Sequence, residues 1–167
     1  MKKYNVQNYV RYKKDVAVAV ARLEGKMWDE YTRPELTIKF LPLVENIARK
    51  FSTSQQASGV MTIMDLIQSG SLGLIHAVRK LDYEKLKESE DMEKTLKSFF
   101  SKRIKGAIRR GIDINRGDMR IPEHKLNEIR RNFGKDKKMV AMFFNSIFLS
   151  IDDNSRDDYD LLYQIED

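Results

Sequence analysis

Few side chains in this sequence have a type and spacing suited to covalent chemistry. Cysteine is absent, which removes a thiol nucleophile, a disulfide and a thiolate-bound metal. His76 and His124 stand far apart with no HExxH between them, and neither GxxxxGK[ST] nor GxGxxG occurs. The Asp152-Asp153 and Asp157-Asp158 pairs offer carboxylates to a cation. No glycine turn or EF-hand spacing frames them, so solvated carboxylates are the better account. Arg116-Gly117-Asp118 matches an adhesion tripeptide but reads as turn chemistry. No catalysis, metal or cofactor is expected of this chain.

The chemistry that remains is recognition of polyanions. The 167 residues carry a net charge of +6, and that charge is segregated. Between Lys97 and Arg131, eleven Lys/Arg stand against four Asp/Glu, a net of +7. Between Asp152 and Asp167, seven acidic residues stand against Arg156, a net of −6. The middle suits phosphates, whereas the tail would be repelled by them.

Helices must position these charges. The charged fraction is 34%, with three Pro and eight Gly, a composition that favours helix over a β sandwich or barrel. Val10, Val16, Val20, Leu23 and Met27 suggest an amphipathic helix, or two short ones, from Val6 to Trp28. Thr32 and Pro34 open a second helix, marked by Leu36, Phe40, Leu43, Val44, Ile47, Ala48 and Phe51, with Pro42 a candidate kink. A polar STSQQASG loop follows. Thr62 or Asp65 then starts a third helix carrying Leu66, Ile67, Leu72, Leu74, Ile75 and Val78. The charged stretch from Tyr83 to Glu93 reads as a loop or an exposed helical turn. Leu96 to Ile114 is a long basic helix with Phe99, Phe100, Ile104, Ala107 and Ile108 as its buried stripe. Pro122 opens a further helix with Leu126, Ile129 and Phe133 inside, and Met139 to Leu149 is a last packed helix. No stretch of 18 apolar residues exists, so no membrane span is expected, and no apolar signal core follows Met1. The expected compartment is cytoplasmic.

Four blocks resemble a known family. Asp65 to Val78 (DLIQSGSLGLIHAV) is similar to the DLIQEGNxGLxxAV signature of bacterial sigma factors. Leu43 to Phe51 (LVENIARKF) resembles LVxxIAxKY, Ile104 to Arg110 (IKGAIRR) resembles IRxAIxR, and Arg120 to His124 (RIPEH) resembles RIPxH. The blocks occur in family order and span about Leu36 to Arg131. The resemblance implies an all-α, compact multi-helix sigma-factor-like domain with an acidic C-terminal tail. Its parts would be an N-terminal helical extension (1–35), a core-polymerase-binding and −10 DNA-binding domain (36–118), a partial following domain (119–149) and the tail (150–167).

The resemblance also implies partners. Asp65, Gln68, Ser69, Ser71 and Ile75 would face the clamp coiled coil of the polymerase β′ subunit, with Gly70 and Gly73 lowering the helix surface for that approach. Arg49, Lys50, Lys97, Lys102, Arg103, Lys105, Arg109, Arg110 and Arg120 would meet promoter DNA, phosphate contacts positioning the strand. Phe99 corresponds to a tyrosine that stacks on a flipped base, a role that needs a pocket beside a stacking face. His124 would touch backbone phosphate, and Asn127 stands where the family often has a reading glutamate. Several positions depart from the pattern. Lys102 and Arg103 replace a tryptophan pair, Gly106 and Arg109 replace residues that touch the −12 base pair, and Phe40 and Pro42 replace an asparagine and an arginine. These changes favour phosphate contacts and an A+T-rich site over the usual −10 preference.

About 35 residues follow Arg131, too few for both a middle domain and a −35 reader. The late sigma factors of T-even-type phages are similar in this respect and end in a hydrophobic–acidic peptide that binds the sliding clamp. Tyr159, Leu161, Leu162, Tyr163 and Ile165 would play that part here, tethering the chain near DNA. Ser150-Ile151-Asp152 also resembles the close of an ordinary sigma middle region, so a plain linker stays open, as does a buried C-terminal helix. A co-activator is a further possible partner. Two other classes fit the same residues: a polymerase-independent DNA-binding regulator, and a decoy that holds the polymerase clamp without initiating.

Overall fold

The structure, a computed structural model, describes residues 2–28, 30–52, 61–115, 120–132, 135 and 137–138. Its described residues are all-α, as expected. The helices are α1 (Lys2–Ala21), α2 (Arg33–Ser52), α3 (Ile63–Arg79), the short α4 (Tyr83–Lys87), α5 (Met92–Ile114) and α6 (Glu123–Arg131). The chain forms two compact units, Met1–Asn115 and Arg116–Asp167. No helix among the described residues is long and apolar enough to cross a membrane.

Local chemistry fixes the helix starts. At α2, the Thr32 N–H and hydroxyl donate to Glu35 Oε2 at 3.0 and 2.9 Å, and the Glu35 N–H donates back to Thr32 Oγ1 at 3.4 Å. Thr62 and Asp65 make the same reciprocal box at α3, with both Thr62 donors 2.7 Å from the Asp65 carboxylate. Both sequence candidates for that start therefore act together. Asp91 caps α5 by accepting from the Lys94 N–H at 2.9 Å, which starts this helix ahead of the expected Leu96. Pro34 lies in the first turn of α2, where its missing N–H costs nothing. Pro42 lies mid-helix, and α2 continues through it.

In the first unit α3 is central, packed against α5 on one side and α2 on another. The buried stripe of α5 is Leu96, Phe100, Ile104, Ile108 and Ile112, a strict four-residue repeat. Phe99 and Ala107, expected in that stripe, are only half-buried because they stand one residue off the repeat. Phe100 meets Phe40 of α2 edge-on with ring centroids 4.9 Å apart. Trp28, Tyr31 and Phe40 extend this aromatic cluster toward α1. Leu86 of α4 is buried, so the charged stretch after α3 is anchored by one apolar side chain.

Helix α1 differs most from expectation. It ends at Ala21, and its inward face is Tyr9, Tyr12, Val16 and then Leu23 in the following turn. Val10 (46% exposed) and Met27 (67% exposed) lie outward. Half-buried tyrosines carry positions that a reading based on aliphatic residues assigned to valines. In the second unit, Pro122 precedes α6, and Leu126 and Ile129 are buried as expected. Phe133, Met139 to Leu149 and the tail residues Tyr159, Leu161, Leu162, Tyr163 and Ile165 lie outside the described residues.

Candidate nucleic-acid interface and docking helix

The seam between α3 and α5 sets which faces of both helices remain outside. Gly70 points into the core: a Cβ there would stand 2.7 Å from Val44 Cγ1 and 3.2 Å from Ile108 Cδ1. At Gly73 a Cβ would overlap the Ala107 Cβ and lie 3.3 Å from the Arg103 carbonyl oxygen. Gly111 answers from α5, where a Cβ would lie 2.8 Å from Ser69 Oγ. These glycines let two helices of the same unit approach closely. The expectation that Gly70 and Gly73 open the surface to an outside partner is therefore corrected.

The five residues expected to dock a partner divide accordingly. Gln68 is exposed. Ser71 and Ile75 are half-buried, and Ser69 lies against Gly111 on the seam. Asp65 is half-buried and its carboxylate is engaged by Thr62. Leu72, expected inside, is 60% exposed. With Gln68, His76 and Arg79 it forms an outward ridge at helical spacing. That register was readable: Leu72 stands four residues from Gln68 and four from His76.

The outer face of α5 is basic. No Asp or Glu lies between Glu93 and Asp113, and Lys97, Lys102, Arg103, Lys105, Arg109 and Arg110 are all exposed. Lys97 pairs with Glu93 one turn away. The Arg103 guanidinium lies over the Phe99 ring, 4.9 Å from its centroid, and that of Arg109 lies over Phe51 at 6.0 Å. Arg49 and Lys50, in the last turn of α2, are exposed.

Phe99 borders a cavity of about 300 Å³ lined also by Lys80, Leu81, Asp82, Leu86, Thr95 and Leu96. That volume is at the lower end for small-ligand pockets. Asp82 accepts from the Glu84 N–H at 3.2 Å, shaping the turn into α4 that closes one side. The sequence singled out Phe99 but not the other lining residues. Their convergence depends on α4 folding back beside the start of α5.

In the second unit Arg120, His124 and Asn127 are exposed. Neighbouring Lys125 donates to Glu128 at 2.8 Å. The described residues contain no group of His, Cys, Asp or Glu arranged to hold a metal. No protein-family model matches the chain.

Proposed function

We infer that the chain is an RNA polymerase sigma factor of the phage late-transcription type, a specificity subunit and not an enzyme. It binds bacterial core polymerase and directs recognition and melting of an A+T-rich, −10-like promoter element. The observation that carries this reading is the juxtaposition at Phe99: a half-buried ring beside a cavity, on a helix whose outer face has seven cations and no carboxylate from residue 94 to 112. Phosphate contacts would hold a strand while an extruded base takes the place of the Arg103 guanidinium on the ring. Gln68, Ser71, Leu72 and Ile75 would meet the polymerase clamp, and the four sequence blocks resembling sigma factors agree with that division of labour. The tail would tether the complex to a sliding clamp.

Titrating labelled full-length chain against core polymerase tests the first half. Binding weakened at least about tenfold by Gln68→Ala/Ile75→Ala supports it; each such factor is about 1.4 kcal/mol. Promoter opening by the reconstituted complex, read by permanganate reactivity of unpaired thymines, tests the second half. Loss of opening in Phe99→Leu with polymerase binding intact supports base docking. Polymerase binding without opening by the wild type would instead identify a decoy. DNA binding with no polymerase affinity would identify a free-standing regulator.

A further inference from the structure

Gly106 is a glycine that no packing contact among the described residues requires. It lies within α5, and a Cβ there would meet nothing within 4 Å among the described residues. Its φ is not positive; among the described glycines only Gly25, at +90°, needs that freedom. Glycine in a helix interior is nevertheless among the least favourable choices. Its neighbours on the helix surface, at three and four residues to either side, are Lys102, Arg103, Arg109 and Arg110. All four are cations, and all four are exposed. Arg103 and Arg109 lean onto Phe99 and Phe51. A short bare stretch of helix backbone is thus ringed by four positive charges.

We propose that Gly106 is a saddle for the sugar–phosphate backbone of DNA, where the strand approaches the α5 backbone more closely than any side chain would allow. A rigid polyanion fits this feature better than an acidic protein segment does. The missing side chain leaves one residue's width of helix backbone bare, with cations three and four residues away on both sides of it. Phosphate contacts of this kind position a strand without reading its sequence. The inference rests on the assignment of the α5 outer face to DNA and adds the point of closest approach.

Helix propensity and DNA approach predict opposite signs at this one position, which makes the test sharp. Full-length Gly106→Ala and Gly106→Leu are compared with wild type, Lys102→Ala and Arg109→Ala. Two quantities are read: the thermal midpoint, and affinity for a fluorescent forked A+T-rich duplex across a salt series. The saddle predicts that both glycine variants melt about 2–4 °C higher, because Ala and Leu are better helix formers. It also predicts affinity falling about threefold for Ala and about tenfold or more for Leu, in order of size, since a factor of ten is about 1.4 kcal/mol of lost contact. Glycine variants that bind like wild type, while Lys102→Ala and Arg109→Ala bind weakly with a shallower salt slope, would overturn the saddle and leave the basic face standing. Unchanged affinity in all four variants would overturn the DNA face itself. A lower midpoint for Gly106→Ala would reveal a packing role within the chain and overturn the proposal by that route.

Discussion

The α3–α5 seam and the α1–α2 seam are both helix packings within one unit, yet different forces hold them. Between α3 and α5, Gly70, Gly73 and Gly111 remove side chains so that Ile104, Ile108, Leu66 and Leu74 bury fully. This seam is apolar and depends on shape. Between α1 and α2, Glu45 receives the Tyr9 hydroxyl at 2.5 Å and stands 3.6 Å from Lys13 Nζ. At the base of the same pair, Lys26 in the connection reaches Glu35 at 2.6 Å. This second seam is polar and depends on protonation. A close-packed seam tolerates pH and fails on a methyl group. A polar seam tolerates small changes of volume and fails when a proton moves.

The largest expected effect is therefore a single added methyl at Gly73. Its neighbours are the Ala107 Cβ and a backbone carbonyl, neither of which can swing aside. Overpacking of this kind costs about 1–3 kcal/mol, and the rigidity here argues for the upper end. Gly73→Ala should lower the thermal midpoint by about 5–10 °C. Adding Ala107→Gly should restore part of the loss, since the two positions share one contact. A midpoint within about 2 °C of wild type for the single variant would show that the seam yields to small shifts, erasing the contrast with α1–α2.

The apolar seam was the more legible of the two in the sequence. Repeats of Leu, Ile and Phe at helical spacing identified α2, α3 and α5, and Thr62 with Asp65 announced the start of α3. Glycines carry no sign of direction, so the sequence leaves open whether Gly70 and Gly73 admit an outside partner or a neighbour in the same unit, and they face Val44 and Ala107. The type of Leu72 suggests the inside, although its register with Gln68 and His76 points outward. The polar seam was hardly legible at all. Tyr9, Tyr12, Lys13 and Glu45 come together only once α1 docks on α2, and no local periodicity marks a long-range hydrogen bond. The basic outer face of α5 was fully readable from charge. The cavity beside Phe99 was not, because half its lining comes from α4 and the turn before it.

The next effect belongs to the polar seam. Burial, followed by the hydrogen bond to Glu45, pushes the Tyr9 hydroxyl up to about 12 from an ordinary 10.0. Neutral Tyr9 therefore stabilises the fold fully below pH 10.0, and that contribution is lost as pH rises through about 12. Tyr9→Phe should destabilise by about 1 kcal/mol at neutral pH, a carboxylate hydrogen bond discounted for partial exposure. The difference between wild type and variant should shrink between pH 10 and 12. A constant difference in urea titrations across that window would detach the hydroxyl from the seam's stability.

Acid probes the base of the same seam with a smaller effect. The hydrogen bond from Lys26, then those from Thr32, hold the Glu35 carboxyl at about 2, below its ordinary 4.5. A depressed carboxyl contributes above pH 4.5 and loses that contribution as pH falls through about 2. Glu35→Gln should flatten the acid limb of a stability–pH curve in that window while leaving the neutral-pH fold intact. Glu35 is exposed enough that salt should blunt the difference as well. An acid limb identical in variant and wild type would place the sensitivity elsewhere.

The smallest effect, and the one with the opposite sign, separates the two tyrosines that α1 turns inward. Tyr9 has a partner for its hydroxyl. The Tyr12 hydroxyl is buried with no hydrogen-bond partner among the described residues. Burial, and then the nearby Glu45, raise its pKa, so it stays neutral throughout the physiological range. Removing an unsatisfied buried hydroxyl takes away a desolvation cost without breaking a bond. Tyr12→Phe should thus be neutral or more stable than wild type by up to about 1 kcal/mol, while Tyr9→Phe loses a similar amount. The two variants delete the same atom from the same ring on the same helix, one turn apart. If urea titrations find stability unchanged in both Tyr9→Phe and Tyr12→Phe, the rings rather than the hydroxyl hydrogen bond hold α1 down. The α1–α2 seam would then be a shape-dependent packing like its neighbour. A gain from Tyr12→Phe beside a loss from Tyr9→Phe supports the polar account, because the Tyr9 hydroxyl has a carboxylate partner and the more deeply buried Tyr12 hydroxyl has none among the described residues.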